Sequence, residues 1–153
     1  MSGVRVQLDG DDPSGLAELI AGLLEQNLVR EPARVARLRP SLVAIVAPDA
    51  GVAVTVRLAS GSVRVADGVA ADSHLRVVAD ADRLLALAAA PLRAGLPDPL
   101  HPDGRAALAD VVTGRVRVHG LLRHPIRLAR FTSLLSVYEP GPRSAKGHRS
   151  VRS

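Results

Sequence analysis

Apolar positions near the start of the chain recur three and four apart, at Leu16, Leu19, Ile20, Leu23, Leu24 and Leu28, with Glu18, Glu25 and Gln26 on the other side. That spacing predicts an amphipathic helix. Asp12-Pro13 supplies an N-cap residue followed by a proline suited to the first turn, so the helix is predicted over 13–29. Between Pro32 and Pro40, Val35 and Leu38 sit three apart, which fits one short helix. From Leu42 the period changes to two. Leu42 to Val46 is a β-branched-rich run, Asp49-Ala50-Gly51 turns the chain, and Val52, Val54, Val56 and Leu58 alternate with Ala53, Thr55, Arg57 and Ala59. Ser60-Gly61 turns it again before Val63 and Val65.

These patterns predict strands near 42–47, 52–59, 62–66, 74–79 and 115–119, and further helices near 81–90, 105–112 and 125–138. Asp80 or Asp82 precedes the second long helix as a cap, and Gly114 ends the third in the C′ position. The stretch 91–104, with four prolines and two glycines, is predicted as a long loop. The implied domain is α+β: a five-stranded, mostly antiparallel sheet covered on one face by helices, over residues 13–138. Residues 1–12 are expected to be a flexible segment and 139–153 a disordered basic tail.

Composition narrows the chemistry. Of 153 residues, 47% are apolar and 23% charged, which suits one globular domain with an aliphatic core, since Phe131 and Tyr138 are the only aromatics. The absence of cysteine excludes disulfides, thiolate nucleophiles, zinc fingers and iron–sulfur clusters, and points to a cytoplasmic protein. The net charge of +5 is uneven, with residues 115–138 carrying five arginines and no acid. Nearly all the basic residues are arginine, which together with abundant alanine suggests a GC-rich coding bias of bacterial type.

Catalytic signatures are missing: no dinucleotide or phosphate-binding glycine motif, no nucleophile elbow and no zinc-protease pair. Asp72-Ser73-His74 holds the residue types of a hydrolase triad, yet adjacent strand residues point to opposite sides and cannot relay a proton. The histidines lack the spacing of a ready metal pair. No enzymatic activity, cofactor or metal is therefore expected. Arg115 and Arg117 on one strand face, with Arg123, Arg127 and Arg130 on one helix face, form a basic surface. Without aromatic interleaving, nucleic acid is not the expected partner. The last helix is apolar on two sides, Leu128, Phe131, Leu135 and Tyr138 on one and Ile126, Leu134 and Val137 beside the arginines. Such a helix is wedged in a core, makes a dimer contact, or closes an apolar cavity while meeting a membrane.

The segment Thr113-Gly114-Arg115-Val116-Arg117-Val118-His119-Gly120, followed by Arg123, Ile126, Leu128 and Phe131, resembles the C-terminal signature of the sterol carrier protein type 2 domain family. The meander, the segment Ser73 to Asp80 leading into a helix, and the opening helix follow the order of that family. The resemblance implies a noncatalytic module that binds a fatty acyl chain, acyl-CoA or sterol-like molecule in a tunnel between sheet and helices, for transfer or presentation. The tunnel residues so implied are Val54, Val56, Val65, Leu84, Leu85, Phe131 and Leu135. Arg123, Arg127 and Arg130 would then contact an anionic membrane transiently, a partner enzyme would receive the ligand, and a homodimer is the other partner considered. Two other classes stand beside this one: a ligand-free interaction protein of the same fold, and a basic nucleic-acid-binding protein. The sequence departs from the family in its scarcity of aromatics, in Leu121 after Gly120, and in the proline-rich stretch 91–104.

Overall fold

A computed structural model of the protein describes residues 5–31, 39–90, 92–93, 96–120 and 123–135. The first helix, α1 (Gly15–Arg30), begins two residues later than Asp12-Pro13 suggests. Ser14 is its cap: the Ser14 hydroxyl accepts the Ala17 amide at 3.3 Å and donates to the Asp67 carboxylate, which also takes the Ser14 amide at 2.7 Å. The helix start is fixed by a carboxylate from another strand, a contact invisible to local capping rules.

The alternating stretch forms β2 (Ser41–Ala47), β3 (Val52–Ala59) and β4 (Ser62–Asp67), paired antiparallel as a meander. β5 (Leu75–Val78) lies parallel to β2, and β8 (Arg117–His119) closes that side antiparallel to β5. A sixth strand, β1 (Arg5–Asp9), pairs parallel with β4 inside the segment expected to be flexible. Its short Val6 and Leu8 alternation is too brief to announce a strand, and the pairing comes from the open edge of β4. The sheet order is therefore β1-β4-β3-β2-β5-β8, one strand more than the expected five and still mostly antiparallel.

β4 reaches β5 through residues 68–74, which cross the outward face of the sheet. Thr55 Oγ1 pins that crossing by donating to the Gly68 carbonyl at 2.7 Å and accepting the Ala70 amide at 3.0 Å. After β5 the chain enters α2 (Ala81–Ala89) with Asp80 in the cap position, yet the capping hydrogen bonds come from Asp49, whose carboxylate accepts the Ala81 amide at 3.1 and 3.2 Å. In the expected loop, β6 (Leu92–Arg93) and β7 (Leu96–Pro97) form a minimal antiparallel pair. α3 (Pro102–Val112) starts three residues earlier than the pattern indicated, because Pro102 is accepted in its first turn. α4 (Pro125–Leu135) follows Gly120, whose φ of +87° and close approach to the His74 carbonyl oxygen leave no room for a Cβ. The short helix expected over 33–39 and the tail 139–153 lie outside the described residues, apart from Arg39.

The four helices of the described residues cover one face of the sheet. The densest core joins Ala17, Ile20 and Leu24 of α1 to Val54, Val56, Val63 and Val65 of the meander and to Phe131 and Leu134 of α4. Asn27 fixes α1 to α4 by donating from Nδ2 to the Leu134 carbonyl at 2.8 Å, which satisfies both buried groups.

Candidate functional site

A second apolar stripe on α1 decides where the site lies. Ala17, Ile20, Leu24 and Leu28 make the stripe that packs on the meander. Leu16, Leu19 and Leu23, spaced three and four apart on the neighbouring side, face a cavity of about 600 Å³. Its floor is formed by Ile45 of β2, Val77 of β5 and Val118 of β8. α2 roofs it with Leu84, Leu85, Leu87 and Ala88, α3 contributes Leu108 and Val111, and α4 contributes Leu128, Phe131 and Leu135.

α2 has an apolar face and yet no fully buried residue, which is the mark of a helix that spans a hollow instead of packing into one. Among the described residues the one polar side chain in the wall is Thr132, whose hydroxyl donates to the Leu128 carbonyl at 2.9 Å and is thus engaged within its own helix. The volume falls in the range of small-molecule sites. Leu19 and Leu85 are 42% and 47% exposed, so the opening lies between α1 and α2. Large apolar side chains exposed at the rim of a concave apolar surface indicate a ligand entrance.

The wall contains four of the residues that the resemblance implied, Leu84, Leu85, Phe131 and Leu135. Val54, Val56 and Val65 do not belong to it: each is 0% exposed inside the packed core. The correction has a simple cause, since the α1 stripe sits directly on β3 and β4 and leaves no space there. Leu16, Leu19, Leu23, Leu108 and Val118 were missed, and the width of the apolar arc on α1 was the signal that pointed to the first three.

Arg123, Arg127 and Arg130 lie on or just before the first turns of α4, outside the wall. Arg123 is exposed, while Arg127 and Arg130 are half-buried, and Arg127 Nη1 is buried with no hydrogen-bond partner among the described residues. This end of α4 meets the start of β5. The His74 and His124 rings stand edge to face at 5.7 Å, and His74 Nδ1 accepts the Leu42 amide at 3.0 Å. Burial, then the charges of Arg127 and His124, push the His74 pKa below its ordinary value, partly opposed by Asp72. The wall residues Gly15, Ala50 and Ala81 lie at the other end of β2 and β5.

No family model matches the sequence, and no curated protein matches it. Among solved structures, one described as "UbiJ-SCP2 Ubiquinone synthesis protein" is similar to this chain, with a TM-score of 0.56 and 20% identity over 78% of this chain and 92% of that one. The chain thus has the α+β fold of a sterol carrier protein type 2-like domain.

Proposed function

We propose that the protein binds an apolar lipid ligand in the cavity under α2 and transfers it, or presents it to a partner, without catalysis of its own. The observation that carries this reading is the hollow itself: about 600 Å³ walled by apolar side chains, Thr132 aside, and roofed by a helix with no fully buried residue. An empty apolar space of that size is a destabilising feature unless something fills it. The described residues include no helix long and apolar enough to cross a membrane. A cytoplasmic carrier or presenter fits that and the lack of cysteine. The similar solved structure is described as a ubiquinone synthesis protein, so a partner enzyme working on an apolar intermediate is a fitting recipient.

Handing the ligand to a partner protein suits the geometry better than release at an anionic membrane through Arg123, Arg127 and Arg130. Those arginines line no part of the cavity, and the start of α4 that carries them meets the start of β5, at the opposite end from the wall residues Ala50 and Ala81. Native mass spectrometry of protein purified from its host, followed by lipid extraction, tests the reading. A retained apolar ligand is the expected result. Protein that is consistently empty and takes up no long-chain probe would overturn it in favour of a ligand-free interaction protein.

A further inference from the structure

The rim of the cavity has a sign. Two helix N-termini open on it, because Gly15 of α1 and Ala81 of α2 both belong to the wall. Unoccupied, such termini attract anions through their free amides and the helix dipole. Here each is already met by a carboxylate of the protein. Asp67 takes the Ser14 amide and hydroxyl ahead of α1, and Asp49 takes the Ala81 amide at 3.1 and 3.2 Å ahead of α2.

Each of these helices also carries an exposed acid in its first turn, Glu18 three residues after Gly15 in α1 and Asp82 next to Ala81 in α2. The nearby bases are engaged elsewhere. Arg83 donates to Asp110 at 2.6 Å, Arg115 lies 3.6 Å from the same carboxylate, and Arg117 opens on a separate cleft with Pro48 and Asp80. Among the described residues the wall offers no cationic side chain.

We propose, building on the lipid-binding reading, that the cavity selects lipids whose polar end is uncharged, such as a long-chain alcohol or ester, and rejects ionised carboxylates and phosphates on the same chain. An anionic head left at the rim meets carboxylates on both helices, and one drawn inward loses its hydration with no counter-charge to replace it. An uncharged head incurs neither cost, and its chain gains the same apolar contacts.

The experiment compares a long-chain primary alcohol with the ionised carboxylate of equal chain length, both displacing a neutral fluorescent long-chain probe at pH 8 and low salt. The alcohol is expected to bind at least about tenfold more tightly. In the double variant Glu18→Lys/Asp82→Lys, which changes two exposed side chains, the gap is expected to narrow several-fold while alcohol affinity holds. Equal affinities in the parent, or a gap unaltered in the variant, would overturn the proposal. Failure of the neutral probe and of both ligands to bind would instead bring down the lipid-binding reading, and this selectivity with it.

Discussion

Across β3 and β4 the inward Val54, Val56, Val63 and Val65 are wholly buried beneath α1, together with Val43 and Leu75, whereas toward the ends of β2 and β5 and on β8 the inward Ile45, Val77 and Val118 also line the cavity. Both halves of the sheet carry the same aliphatic alternation. The difference lies in the helices above. α1 seats a complete stripe, Ala17, Ile20, Leu24 and Leu28, on the meander, while α2 reaches the other half through Leu84 and Leu87 and buries none of its residues fully. Asp49 grips its first turn, and the Arg83–Asp110 pair at 2.6 Å ties its side to α3. Polar contacts at its edges thus anchor the roof over the cavity, where the proposed function places a lipid. Dense packing in one half gives the rigid frame that an open half requires.

The largest effect should come from cutting into the packed half. Leu24→Ala is expected to cost about 2 to 5 kcal/mol of stability in urea unfolding, the range for a wholly buried leucine. Leu135→Ala, in the wall of the open half, should cost less than Leu24→Ala in the ligand-free protein, because its side chain already borders empty space. Equal losses would mean that the two halves are packed alike. Next in size is filling the hollow. Ala88→Phe should lower affinity for a long-chain probe by about tenfold or more while leaving unfolding stability equal or higher, as cavity-filling substitutions do. Undiminished uptake would place the ligand elsewhere.

A smaller effect concerns pH. The folded His74 pKa lies below the ordinary 6.5, so between 6.5 and that lowered value the unfolded chain holds more protons and acidification destabilises the fold. Protonation also opposes the acceptor role of Nδ1 toward the Leu42 amide. The loss of stability between pH 7.5 and pH 5.5 should therefore be smaller in His74→Gln than in the parent, measured by thermal unfolding. An identical loss would remove His74 from the pH response. Arg123→Ala should change least: probe affinity unaltered and stability within about 0.5 kcal/mol, since it is exposed and outside the wall. A clear fall in affinity would tie that surface to the ligand after all.

Period-two and helical spacing located the strands and helices because each has one strongly apolar side, and Gly120 was legible because its backbone demands a residue without a side chain. β1 was hidden, since its pairing depends on a strand 57 residues away and not on its own five residues. The cavity was legible only in part. Spacing says that Val56 and Val118 are both apolar strand residues, but whether helix side chains fill the space above them is set by contacts such as Asp49 with Ala81 and Asn27 with Leu134. Those contacts join residues distant in sequence, and no periodicity records them. Ser14 and Asp67 show the same limit on a smaller scale, moving a helix start away from the residue that local rules favour.

The most direct test of a ligand-filled half beside a solid one is methyl NMR on the leucine- and valine-labelled protein, titrated with a neutral long-chain alcohol. Leu84, Leu85, Leu135 and Val118 are expected to shift and to show contacts to the ligand chain, with Val54, Val56 and Val65 nearly still. Ligand contacts at the three meander valines, or saturating ligand with no shift at the four wall residues, would contradict the account.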